Sequence, residues 1–369
     1  MRMILSIKHM MRLTVLLVAA LAIVVAGCGN NDDTDSEGSP TIMATTSIWA
    51  DVVTNVACNG EAEIITLIPP GGDPHAFQPS LQDRGRMENA AMIVTNGLGL
   101  EEGLVDTLEA VEQAGTPMFH MTDHIETIEF SSGMAIDDHD EHDDEHDEHD
   151  EHDEHDEHDE HDEHDEHDEH DEHDDDHDEH DEHDEHDEHG HDHSGDDPHV
   201  WFDPIKVADA LPHLSEALIV QAGLDANTLN TCVAEYRDEL IALDAEIEEI
   251  LEPLDHEARL LITNHDALGY FANRYNFEVL GTVIPGYSSL GETNPARLQD
   301  LVALIEQTGV SAIFAESTHS SDDTEALAQQ AGAKVITLDT GSLGPAGSIS
   351  DTYIGFMRTN AQKVVDGLG

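Results

Sequence analysis

The amino-acid sequence predicts an α/β protein of two lobes, each with a mainly parallel four-stranded sheet, joined by one long backbone helix. Three observations carry this. Short β-rich runs alternate with helical stretches, the pattern of crossover-connected parallel strands. Four such runs precede, and four follow, a single unusually long helical pattern. Between the fourth run and that helix lies a histidine- and acid-rich tract with almost no apolar residue, expected to form a disordered loop.

Taken in chain order, the first segment reads as an address. Arg2, Lys8 and Arg12 precede an uncharged apolar run from Leu13 to Gly27, short for a membrane span but suited to a signal-peptide core. It ends in Val25-Ala26-Gly27-Cys28, which resembles a bacterial lipobox, with Cys28 lipidated as the mature N-terminus. Residues 1–27 are therefore expected to be a lipoprotein signal peptide, and residues 28–40, rich in Asn, Asp, Ser and Gly, a tether. An acyl anchor would hold a soluble domain on the extracytoplasmic side of a membrane without spanning it. In such a compartment Cys58 and Cys232 suit a disulfide; two buried free thiols fit the same sequence.

The N-terminal lobe is expected over 41–226, with strands at 41–47, 63–68, 92–97 and 117–121, and helices at 48–59, 82–91, 101–114 and 204–223. The C-terminal lobe is expected over 253–369, with strands at 259–265, 278–284, 312–317 and 334–339, and helices at 267–275, 295–309, 324–332 and 349–368. Asp203-Pro204 reads as a cap and first helical residue, and Gly309 and Gly332 as terminators. Over 227–252, Leu229, Cys232, Val233, Tyr236, Leu240, Leu243, Ile247, Ile250 and Leu251 follow helical spacing. Roughly 25 residues at 1.5 Å each reach nearly 40 Å, the size of a whole lobe. The helix could be a core element of one lobe, but a strut joining two fits its position better.

The formal charge is -70, from 13 basic and 83 acidic residues, and residues 137–197 hold 39 of those acids with no Lys or Arg. The remainder is still acidic, so nucleic acid and anionic membrane surfaces are poor partners and metal cations good ones. Within 137–194 the repeat is mostly His-Asp-Glu. Its histidines are His139, His142, His146, His149, His152, His155, His158, His161, His164, His167, His170, His173, His177, His180, His183, His186, His189, His191 and His193. A helix would rotate them by about 60° per repeat and lose their alignment. A solvated spacer needs no histidine. Imidazoles among carboxylates instead make many weak, transient sites for zinc- or nickel-type ions, giving capacity rather than selectivity.

Four residues sit just past expected strand ends, where α/β sheets place ligands: His75, His199, His265 and Asp339. The tripeptide Asp-Pro-His occurs twice, at Asp73-Pro74-His75 and Asp197-Pro198-His199, each on a proline-stiffened loop. With Leu67-Ile68-Pro69-Pro70-Gly71-Gly72 before the first, Val200-Trp201-Phe202-Asp203-Pro204 after the second, His265-Asp266-Ala267-Leu268-Gly269-Tyr270-Phe271, Ala315-Glu316-Ser317 and Leu338-Asp339, the chain from Ile42 onward resembles the metal-binding solute-binding proteins of ABC importers, of the ZnuA/TroA-like type.

That resemblance implies two α/β lobes linked by a long helix, a cation in the cleft, and His75, His199, His265 and Asp339 as its ligands. It implies an ABC permease and its ATPase as partners, with the membrane reached through the lipid anchor; a monomer is expected. Three imidazoles and one carboxylate favour Zn2+ over Mn2+, because the manganese branch has a carboxylate where His265 stands. Asp73 and Asp197 either orient neighbouring groups or only shape their turns, and the second is preferred. Glu316 and His319 lie at the cleft-facing end of the seventh strand and could line the site, but are not read as ligands. His120, His124, His213 and His256 lack motifs and read as ordinary surface residues.

The rival readings are weaker. A zinc hydrolase usually keeps three protein ligands and an open position, whereas four ligands make a closed site that binds and delivers. The chain also lacks His-Glu-x-x-His, Gly-x-Ser-x-Gly and a Walker-type loop. A surface adhesin or extracellular metal buffer would make the tract the working part and the lobes its platform.

Overall fold

The computed structural model describes residues 39–130 and 195–369. Cys28, the apolar leader and the histidine tract lie outside them. The first sheet comprises β1 (Thr41–Ala44), β2 (Glu63–Thr66), β3 (Met92–Thr95) and β4 (Met118–His120), in the order β2-β1-β3-β4, all parallel. The second comprises β5 (Leu260–Thr263), β6 (Glu278–Thr282), β7 (Ala312–Glu316) and β8 (Lys334–Leu338), in the order β6-β5-β7-β8, again all parallel. The orders are equivalent, so each sheet grows outward both ways from its first strand. Loops leaving β1 and β3, or β5 and β7, then diverge and open a crevice at the carboxyl ends.

Among the described residues the helices are α1 (Ser47–Val56), α2 (Leu81–Glu88), α3 (Val105–Gln113), α4 (Pro204–Ala222), α5 (Ala226–Leu251), α6 (Gly269–Tyr275), α7 (Pro295–Thr308), α8 (Asp322–Ala331) and α9 (Tyr353–Leu368). None is long and apolar enough to cross a membrane. Some strands are shorter than their β-rich runs, for a local reason. The run from Thr41 to Ser47 stops at Ala44 because the Thr46 hydroxyl accepts Trp49 N–H and starts α1. Asp203 caps α4 by accepting from Ile205 and Lys206, and Pro204 supplies its first residue.

The long helix α5 serves both halves. Its buried face, Leu229, Val233, Tyr236, Leu240, Leu243, Ile247 and Leu251, packs on α1 and α4 from the first half and α9 from the second. One apolar cluster therefore runs through the molecule, taking in Trp49, Phe202, Leu243 and Phe356. Each sheet has a smaller cluster besides, around Met43 and Ile93 in the first and Ile262 and Ile313 in the second. Buried Asp244 of α5 accepts from Arg274 Nε (2.8 Å) and Tyr275 Oη (3.1 Å), fastening α6 to the strut. At the other end, a Cys58–Cys232 disulfide with Cα atoms 5.6 Å apart ties the exit of α1 to α5. The chain reaches it through two left-handed residues, Cys58 (φ 57°) and Asn59 (φ 53°).

Candidate metal centre

His75 sits midway along the loop after β2, where Asp73 Oδ1 accepts its backbone N–H at 3.0 Å and fixes the turn. Its Nδ1 lies 3.1 Å from Glu102 Oε1, brought there from beyond β3. His199 precedes the short turn Val200–Phe202, and Asp197 Oδ1 accepts both its backbone N–H (2.9 Å) and its Nδ1 (2.8 Å). His265 lies two residues past β5, with its carbonyl accepting from Thr263 Oγ1 at 2.8 Å. Its Nδ1 is bonded to Glu316 at the end of β7, and the other Glu316 oxygen accepts from Thr340 Oγ1 at 2.7 Å.

Each histidine thus spends Nδ1 on its own carboxylate, which leaves Nε2 available as a donor. The Nε2 atoms of His199 and His265 are 3.2 Å apart, and one ring nitrogen from each of the three histidines lies within 4.8 Å of the others. All three are at most 3% exposed. A carboxylate on Nδ1 fixes the tautomer, orients the ring and raises its basicity toward a metal. Burial holds the His199 imidazole neutral, its pKa pushed down to about 4 against the pull of Asp197. Burial also disfavours charge on His265, but there the Glu316 carboxylate overcomes it and the pKa is raised. Burial would raise Glu316 too, yet His265 holds it well below the usual carboxylate range. The pair favours an ion pair, whose imidazole proton a divalent cation would displace.

Asp339, expected as the fourth ligand, stands apart from the clustered histidines here. Asn360 of α9 grips its backbone on both sides, accepting from Asp339 N (3.0 Å) and donating to Asp339 O (2.6 Å). Its carboxylate lies 3.4 Å from Lys363 Nζ on the same helix. Among the described residues, the group able to hold a metal is the three histidines. The preference for Asp197 as a mere turn-shaper is also corrected, since the carboxylate that shapes the turn orients the His199 ring too. Glu102 was missed by sequence reasoning because no motif surrounds it and it stands 27 residues from His75. Its one signal was an acid just past the third strand, at the cleft end of the sheet.

The remaining candidates fall outside the histidine triangle. Asp73 accepts Ser289 Oγ at 2.6 Å, and His319, part-exposed, stands 3.9 Å from the same carboxylate. His120 bonds Thr95 Oγ1, His124 stacks between Phe119 and His213 at 4.7 Å from each, and His256 opens a short turn before β5. Gly269 has a clear purpose: a Cβ there would stand 2.4 Å from Asp197 Oδ2, so the start of α6 leaves room for the carboxylate that aims His199.

Two parallel α/β halves meeting over three buried, carboxylate-oriented histidines define a protein built to bind a metal cation, and known proteins narrow the class. Residues 42–367 match the family described as ZnuA, zinc-uptake complex component A, periplasmic; the chain belongs to this family of ABC-importer substrate-binding proteins, which are not enzymes. It is 26% identical to the zinc-binding protein TroA of Treponema pallidum, over 91% of each chain. It is 23% identical to the manganese-binding lipoprotein MntA of Halalkalibacterium halodurans, over 95% of this chain and 96% of that one. It is 22% identical to the manganese ABC transporter substrate-binding lipoprotein PsaA of Streptococcus anginosus, over 98% and 99%. Among solved structures, the periplasmic zinc-binding protein TroA of T. pallidum superposes with a TM-score of 0.67, at 24% identity over 90% of this chain and all of that one, a likeness of fold. Family membership also carries the distinction from a hydrolase, because three protein ligands are equally the pattern of catalytic zinc.

Proposed function

We propose that the protein captures Zn2+ between its two halves at His75, His199 and His265 and delivers it to an ABC permease with its ATPase. The observation that carries this reading is the threefold carboxylate–histidine pairing, which presents three oriented imidazole nitrogens and no carboxylate oxygen to the cation. Nitrogen-rich sets favour Zn2+, whereas Mn2+ prefers more oxygen. A fourth position left to water or an incoming donor gives the cation a route out. Manganese is the alternative cargo, favoured by relatives that carry it in their names. In the same reading Cys28 carries the lipid anchor that keeps the protein at the extracytoplasmic face of the membrane, and the histidine tract collects metal at low affinity.

The test is metal competition on a chain lacking residues 137–194, before and after His265→Glu. The parent is expected to bind one Zn2+ tightly and to prefer it strongly to Mn2+. The substitution adds an oxygen donor and should narrow that preference, with zinc still ahead because intrinsic affinities run its way. A parent that prefers Mn2+, or a ratio unchanged within about twofold by the substitution, contradicts the zinc reading.

A further inference from the structure

The loop carrying His75 is held from the opposite half of the molecule at two points. Gly71 N donates to Ser342 Oγ at 2.7 Å, and Ser289 Oγ donates to Asp73 Oδ2 at 2.6 Å. Ser342 lies on the segment leaving β8 and Ser289 on the segment leaving β6; both are buried, 3% and 2% exposed. Asp73 couples the second bond to the centre, because its other oxygen holds the His75 backbone. Ser342 is anchored in turn: its hydroxyl lies 3.1 Å from Ser47 Oγ at the start of α1, which also accepts Leu343 N–H at 2.9 Å. The fit is close, since a Cβ on Gly341 would stand 2.7 Å from Pro74 Cδ.

The three ligands are not equally supported. His199 leads into Trp201, buried and bonded through Nε1 to Thr340 O at 3.0 Å, while Tyr353 Oη donates to Trp201 O at 2.6 Å. His265 follows a strand interior to its sheet. His75 instead rides on a Pro-Pro-Gly-Gly loop after β2, an edge strand. On this edge-strand loop, its place beside the other two leans on the bonds from Ser289 and Ser342 together with Glu102.

We infer that Ser289 and Ser342 are positioning residues: together they latch the His75 loop to the opposite half and set how fast the bound cation leaves, without ligating it. The inference rests on the histidine centre being the cargo site. One neutral hydrogen bond and one made to a carboxylate suit a protein that must hold an ion and later surrender it, because water can replace both once the halves part.

The experiment uses the full mature chain with less than one equivalent of Zn2+, so that the tight site fills first, and follows release into excess chelator by stopped flow. Ser342→Ala should speed release about fivefold, as expected for one neutral hydrogen bond, Ser289→Ala about tenfold, because its bond is to a carboxylate, and the double variant about fiftyfold. The association rate should stay within about twofold of the parent. The absorption spectrum of the Co2+-loaded protein should be unchanged, because the three nitrogens are intact. A double variant that releases at the parent rate, or one with an altered Co2+ spectrum, overturns the latch while leaving the cargo reading standing. A parent that holds no Zn2+ tightly overturns the cargo reading and the latch with it.

Discussion

A single oxygen, Asp197 Oδ1, accepts both the backbone N–H and the ring Nδ1 of His199, at 2.9 and 2.8 Å. This fixes the ring at two points from one carboxylate, and its free Nε2 arrives 3.2 Å from Nε2 of His265. The second Asp197 oxygen occupies the space that a side chain on residue 269 would need. An apparently local Asp-Pro-His motif is therefore completed by a glycine from the other half of the chain.

Removing that orientation should weaken metal binding without removing a ligand. Asp197→Asn is expected to lower Zn2+ affinity by about 10- to 100-fold, the usual cost of losing a carboxylate behind a ligating histidine. Gly269→Ala should produce a loss of the same sense by displacing the carboxylate. Chelator competition reads both, and affinity unchanged in the pair would show that His199 needs no such support.

The elements were legible because β-rich runs and helical patterns were separated by strong punctuation, such as Asp203-Pro204 and Gly309. The site was legible only in part. His265 and Asp339 both follow strands and look equivalent along the chain. What separates them is Asn360 and Lys363, which draw Asp339 onto α9 from 21 and 24 residues away. Glu102 and Glu316 were hidden as orienting groups for a related reason, since which carboxylate meets which ring is decided by strand order. The disulfide partners stand 174 residues apart, and only the packing of α1 against α5 brings them together.

The Cys58–Cys232 link should appear as an intact mass lighter by two hydrogens than the reduced protein. Cys58→Ser with Cys232→Ser is expected to reduce stability by about 2–4 kcal/mol, the typical worth of a disulfide. Denaturant unfolding under non-reducing conditions measures it. Zinc affinity should hold, since neither cysteine belongs to the histidine group.

Deleting residues 137–194 should remove several weak zinc equivalents and leave one tight site. Proton release on metal binding should fall as well, because histidines among carboxylates are partly protonated near neutrality and must give up protons to coordinate. Calorimetry in buffers of different ionisation enthalpy reads both quantities. Disappearance of the tight site in the deletion would place the cargo in the tract.

Cys28→Ala should leave the protein unprocessed or free it from the membrane. Fractionation together with the mass of the mature N-terminus decides this. A variant that is processed normally and stays membrane-bound would mean the lipid is attached elsewhere or absent.

The proposed cargo site is the three histidines, with Asp339 outside their group. The most direct measurement is the zinc dissociation constant of His265→Ala, determined by chelator competition on the chain without residues 137–194, with Asp339→Ala run beside it. His265→Ala should lose at least about 100-fold in zinc affinity and some thermal stability as well, because it leaves the buried Glu316 carboxylate without its imidazole partner. Asp339→Ala should stay within about threefold of the parent. Zinc bound as tightly by His265→Ala as by the parent, or lost on removing Asp339 instead, would contradict the account.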